Sequence, residues 1–405
     1  MIFGHTSHPF VLSVSKHCSF FFRRAKKESS PSKNSGRTGV GAVLLALALA
    51  SCVRAPAEVT FHADGYPETL SEWGLFAVEP GRIAPRPGLV TYDLATPLFS
   101  DYAQKWRAVW MPKGAAARYD PKQAFDFPVG TIVAKTFYYP TPAGAAPQTS
   151  TEVLKPTTAT YQSGVEGLDT RQARIIETRL LVRRAAGWVA IPYVWDADGR
   201  DARLARTGAD VALTLVDGAE RQAFGYAVPN QNQCAGCHAT DARTRALHPI
   251  GLKARHVGPT LARLIKAGYV TGAPASGAPR NAVWTDERAP IEARARSYLD
   301  INCSHCHSAT GPARTSGLWL DPDAREPHQI GLCKPPVAAG RGTGDRPFGV
   351  VPGHPEQSIL AYRLASTDPG AMMPELGRAL AHREGVALVE RYIAGMKGTC
   401  ERSGG

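Results

Sequence analysis

The chain has 405 residues, 43% of them hydrophobic and 20% charged, the balance of a globular protein rather than a disordered or fibrous one. Half of its formal charge of +12 lies in the first 51 residues, which hold seven basic residues and one acid; the remaining +6 gives little footing to a nucleic-acid-binding function. The length has room for two or three domains, and Gly 39 with Pro 32 implies many turns.

Residues 1–51 read as an address. The run Gly41-Ala-Val-Leu-Leu-Ala-Leu-Ala-Leu-Ala50 follows basic residues and is too short to span a bilayer as a normal helix. It ends in Leu49-Ala50-Ser51-Cys52, which looks like a bacterial lipoprotein lipobox. That likeness implies export, cleavage before Cys52 and lipid attachment to its thiol, with a plain secretory signal as the alternative. Val at position 53, rather than Asp, leans toward the outer membrane of a Gram-negative bacterium. Residues 1–36 are long and polar for the leading part of such a signal, as an upstream start codon would give, and are set aside from the fold.

Residues 52–225 carry strand patterns and predict a β-rich, sandwich-like domain. Thr131 to Tyr139 is dense in β-branched and aromatic residues and stops at Pro140. Glu177–Arg184 and Trp188–Trp195 flank Ala185-Ala186-Gly187, a hairpin signal. Asp210–Val216 and Arg221–Val228 flank Asp217-Gly218, a strong turn pair. The stretch from Pro140 to Gln162 reads as a surface loop. With His62 as its only histidine and scattered acids, this domain reads as a platform or docking surface.

Residues 226–290 open on Cys234-Ala-Gly-Cys-His238, and residues 291–405 contain Cys303-Ser-His-Cys-His307. Cys-x-x-Cys-His is the c-type haem attachment signal. The two thiols can each form a thioether to one haem, and the adjacent imidazole of His238 or His307 can ligate its iron. Two covalently bound haem c groups follow, adding up to four ionised propionates to a weakly basic chain. At the first motif no Met lies between Cys237 and Met372. The far-face candidates are His248, preferred because Pro249 and an apolar stretch can hold it, then His256 and the remote Met111. An open sixth position would permit peroxide or small-ligand chemistry. A short helix is predicted over Thr260–Ala267.

The second motif has more around it. Pro290 and the spacing of Ile291, Ala295, Tyr298 and Leu299 predict a helix running into Cys303. Val386, Val389, Tyr392, Ile393 and Met396 predict a closing helix over Arg383–Met396. Between them stands Met372-Met373-Pro374, and Met373 lies 66 residues after His307. Pro374 favours an extended loop, so Met373 is the preferred axial ligand, with Met372 the alternative. Cys333 and Cys400 remain as an even pair, which in an oxidising compartment reads as a disulfide, with two free thiols the alternative.

Taken together, Asn230-Gln-Asn-Gln-Cys-Ala-Gly-Cys-His238, Asn302-Cys-Ser-His-Cys-His307, Pro352-Gly353 with Ser358, and Met373-Pro-Glu-Leu-Gly377 resemble a family of bacterial dihaem c-type cytochromes, many of them lipoproteins. The resemblance runs over most of residues 61–400. It implies haem c binding and electron transfer with a periplasmic redox partner, and a fold in which mainly α-helical, cytochrome c-like modules follow the β-rich domain. A dihaem peroxidase-like enzyme reacting at the first motif is the alternative. Zinc or dithiol chemistry fits poorly, since about 65 residues separate the pairs, against zinc-ribbon spacings of about 15–20.

Overall fold

Runs of β-branched and aromatic residues cut by glycine and proline set most of the architecture. The computed structural model describes residues 58–157, 167–338 and 340–401. Its strands are β1 (Phe76–Glu79), β2 (Arg82–Pro85), β3 (Val90–Tyr92), β4 (Gln104–Trp110), β5 (Ala117–Arg118), β6 (Ile132–Pro140) and β7 (Glu152–Leu154), then β8 (Leu168–Asp169), β9 (Ala173–Arg184), β10 (Gly187–Trp195), β11 (Ala202–Leu204), β12 (Ala209–Asp217) and β13 (Glu220–Val228). The helices α1 (Cys234–His238), α2 (Ala254–Val257) and α3 (Leu261–Lys266) follow, then β14 (Val270–Thr271), α4 (Ile291–Leu299), α5 (Ile359–Ala365) and α6 (Arg383–Ala394).

The centre is a six-stranded antiparallel sheet in the order β11-β10-β9-β6-β4-β3. The β9–β10 hairpin pairs Arg184 with Gly187 around Ala185-Ala186, and the β12–β13 hairpin turns at Gly218, whose φ of 59° suits a residue without a Cβ. One face of the sheet buries Trp106, Ala134, Tyr138, Leu180, Ile191 and Tyr193 against Trp73, Leu75 and Ile83. The other face is shared. Part packs on β12, β13 and β7 through Phe137, Tyr139, Leu213 and Tyr226. The rest packs on α2 and α3 through Val109, Val133, Leu181, Val257 and Leu264.

That shared core crosses the expected boundary at 225/226. Cys234 and Leu252 lie in one apolar cluster with Val109 and Phe125, and β14 pairs with β5. All the described residues fall within one compact unit, 54–405.

The expectation of mainly α-helical haem modules is overturned. Among the described residues strand exceeds helix, about 26% to 20%, and the helices are short. The predicted helices do form at α3, α4 and α6, but α6, at twelve residues, is the longest among those described. Between His307 and α5 the described chain makes turns and 3₁₀ segments, with a glycine or proline every few residues. Those residues break the hydrogen-bond ladder or add backbone entropy, so the loop wraps rather than coils. No helix among the described residues is long and apolar enough to cross a membrane. Cys52 lies outside the described residues.

Candidate functional site

The two Cys-x-x-Cys-His motifs pack against each other. The Cys306 thiol donates to the Gly236 carbonyl at 3.5 Å, and the Ala242 amide donates to the Thr310 carbonyl at 2.8 Å. A cavity of about 840 Å³ opens between them, within the ~300–1,000 Å³ range of ligand pockets. Its walls include Cys303, Cys306, His307, Leu364 and Met373, with Cys237 of the first motif. Met372 is not one of its walls, so the loop presents Met373 to the cavity.

Local structure explains the placement. The chain leaves α4 through a wider π-type turn, Asp300–Ser304, which buries Cys303. The amides of Cys306 and His307 both donate to the Cys303 carbonyl, closing the motif into one turn. Gly311 is obligatory behind it, because a Cβ there would collide with the Cys306 carbonyl. In the methionine loop, the buried Arg378 donates to the carbonyls of Met373, Arg363, Ser366 and Leu380 and fixes the loop.

Both motif histidines have one ring nitrogen engaged and the other left over. His238 Nδ1 lies 2.8 Å from the His248 carbonyl. A carbonyl only accepts, so Nδ1 carries the proton and Nε2 keeps its lone pair. Burial, with Lys135 nearby, pushes His238 down to about 4, so the ring stays neutral and able to ligate. His307 Nδ1 lies 3.3 Å from Ser316 Oγ, whose own proton goes to the Ala313 carbonyl, so Nδ1 donates and Nε2 keeps its lone pair. Burial raises the Cys303 and Cys306 thiols to about 12. Burial thus keeps these thiols protonated while nothing is bound to them. Among the described residues no group of three or more His, Cys, Asp or Glu is placed to hold a metal ion. A haem makes a smaller demand on the chain, since its macrocycle supplies four of the iron's nitrogens. The thiols, the neutral imidazoles and an apolar cavity that also includes Met373 in its lining fit a covalently held haem.

The far face of the first motif is less complete. His256 is committed elsewhere: Nδ1 lies 3.2 Å from the Ile250 carbonyl and Nε2 lies 2.8 Å from Asp300. His248 has its backbone bonded to His238 in both directions, at the ring edge away from Nε2. Met111 is buried in the same apolar cluster as Cys234.

Several residues here were not singled out from the sequence. Asp300 is fully buried and accepts from Arg255, His256, Asn281 and Ser304. Burial alone would raise its pKa, but His256 and Arg255 hold it well below the usual carboxylate range. This network ties the chain after the first motif to the turn that carries the second. His305 is buried, and its Nδ1 has no hydrogen-bond partner among the described residues. On the sheet face beside the first motif stand Lys105, Arg107, Lys135 and Arg179. The sequence did carry a signal for these: Lys135 interrupts the apolar run Ile132–Tyr139, where a strand position of that parity faces inward.

Cys333 and Cys400 are joined by a disulfide that links the loop after the second motif to the chain beyond α6. No family model, no curated protein and no solved structure matches the chain.

Proposed function

We propose that this chain is a dihaem c-type cytochrome that carries electrons, exported and lipid-anchored through Cys52 on the periplasmic side, at the outer membrane. The observation that carries the reading is the single cavity whose walls bring together Cys303, Cys306, His307 and Met373 with Cys237 of the other motif. Bound haem would supply a one-electron iron couple at each motif. The chain's own work is to hold and shield: Cys234, Cys237, Cys303 and Cys306 anchor, and His238 and His307 offer a neutral Nε2. Met373 offers a thioether, while Leu318, Leu320 and Leu364 keep the cavity apolar. The donor and acceptor would be periplasmic redox proteins. Mass spectrometry of the exported protein tests the reading. Two covalent haem additions, with low-spin optical and EPR spectra, are expected; no addition sinks it.

A second reading, a peroxidase-like dihaem enzyme reacting at the first motif, is favoured by one observation: His256 is engaged at both nitrogens. A stable high-spin population with peroxide turnover would select it over the carrier.

A further inference from the structure

The pairing of β4, β6 and β9 puts Arg107 opposite Lys135 and Lys135 opposite Arg179. Three cations thus form one cross-strand row in the middle of a sheet, and directly opposed like charges destabilise a sheet. Lys105 extends the row one pair along: its Nζ lies 5.6 Å, that of Lys135 5.1 Å, and the Arg179 guanidinium 4.3 Å from the Phe137 ring centre. Two of the four have carboxylate partners, Arg107 with Asp93 at 3.1 Å and Arg179 with Glu177 at 2.8 Å. Lys135 makes no ion pair with any described carboxylate, and Lys105 donates to the Leu98 carbonyl instead. Asp101 is the buried acid near Lys105, and its Oδ1 is taken by the amides of Ala379 and Leu380. Burial and the neighbouring guanidinium groups push Lys135 down to about 7 and Lys105 well below its ordinary value, and an anion set against the row would restore their charge.

The row also has an address. Cys234 packs in one cluster with Val133 and Leu181, a cross-strand pair two residues along β6 and β9 from the pair Lys135 and Arg179. Lys135 is partly exposed, so a ligand can reach it.

We propose that Lys135, flanked by Arg107 and Arg179 and backed by Lys105, is an oxyanion site beside the Cys234–His238 motif, and that it takes a carboxylate or a similar small oxyanion. The proposal rests on reading that motif as a haem site. The carboxylate has two sources: a propionate of the haem held there, or a free anion admitted beside it.

The test uses the exported holoprotein, its two haem attachments first counted by mass. A count of zero would fail the haem reading itself; the next steps apply to protein with both attached. Lys135→Gln and Lys135→Met remove the same charge with different shapes, so a folding failure of one leaves the other to decide. Lys135→Arg preserves the charge, and exposed Lys113→Gln is the control. A propionate source predicts that the propionate-bending resonance Raman band of one haem shifts in Lys135→Gln and returns in Lys135→Arg. A free-anion source predicts calorimetric binding of inorganic phosphate to the native protein, weakened about tenfold or more in Lys135→Gln. If the folded charge-removing variants change neither the band nor phosphate binding relative to Lys113→Gln, the site is refuted.

Discussion

The Cys306 thiol stands 3.5 Å from the Gly236 carbonyl oxygen, so the two attachment motifs touch although these residues are 70 positions apart in the chain. Cys237 and Cys306 accordingly share one cavity. On the proposed reading each pair of thiols is its own anchor. Mass spectrometry should find two covalent additions on the native chain, one on Cys303→Ala/Cys306→Ala and one on Cys234→Ala/Cys237→Ala. Loss of both additions from either double variant would mean that the motifs are loaded only together.

Met373 and Met372 are adjacent, but only Met373 forms part of the cavity wall. Met373→Ala is expected to turn one haem high-spin, or to lower its potential, with the other unchanged. Met372→Ala should leave both spectra as they are. The reverse pattern, read in the optical and EPR spectra, would transfer the ligand role to Met372.

Arg378 acts on that loop at one remove. Its guanidinium serves four carbonyls, including that of Met373. Arg378→Met removes its donors from all four, leaving the Arg363 carbonyl only its bond from the Met373 amide, and should cost about 2–4 kcal/mol in urea denaturation. A positioning role further predicts that the same haem affected by Met373→Ala shows a mixed spin state in Arg378→Met. Lost stability with an unaltered spectrum would confine Arg378 to the fold.

Disulfide removal is a test of the outer wrap. Cys333 and Cys400 enclose a long loop, with a sequence separation of 67. Chain-entropy arithmetic for such a loop gives about 4 kcal/mol. Cys333→Ser/Cys400→Ser should unfold at clearly lower urea, and the native protein should do so on reduction. Equal midpoints would show that the reduced loop is held by packing alone.

Asp101 offers a pH test away from the motifs. Burial raises its pKa to about 6, against the amides of Leu380 and Ala379, which favour the charged form. The unfolded value is about 4. Between those values the folded chain binds more protons, so stability falls as pH rises through the window, by on the order of 2–3 kcal/mol, and stays reduced above it. Asp101→Asn keeps an acceptor oxygen and tolerates the residue's positive φ of 49°. Buried His238 and His382, both lowered to about 4, push stability the opposite way over the same range, so the readout is the difference between the two proteins: the native urea midpoint should fall relative to that of Asp101→Asn between about pH 4 and 6. A difference that stays constant across the window would assign the effect to another group.

What the sequence disclosed follows from how local each signal is. The hairpin at Ala185-Ala186 and the helices ending near Leu299 and Ala394 formed where turn residues and apolar spacing put them, because those patterns act over a few residues. The helical character expected of the haem modules was carried by resemblance, and the glycine- and proline-rich loop between His307 and Ile359 does not supply it. His256 illustrates the other limit. Its availability as a ligand depended on Asp300, 44 residues away, and no local pattern announces that bond. The cationic row is likewise a product of register: Arg107, Lys135 and Arg179 become neighbours only once β4, β6 and β9 pair.

The burial of Cys234 and Cys303 has a consequence for how the protein is made. An enzyme that joins thiols to haem must reach them, and in the finished fold these two are covered by the sheet on one side and by α4 and α6 on the other. If both motifs carry haem, loading therefore precedes closure. The Asp300 network belongs to that closure, because it ties the chain after the first motif to the turn that buries Cys303. On that reading, assembly of the network would mark the end of loading.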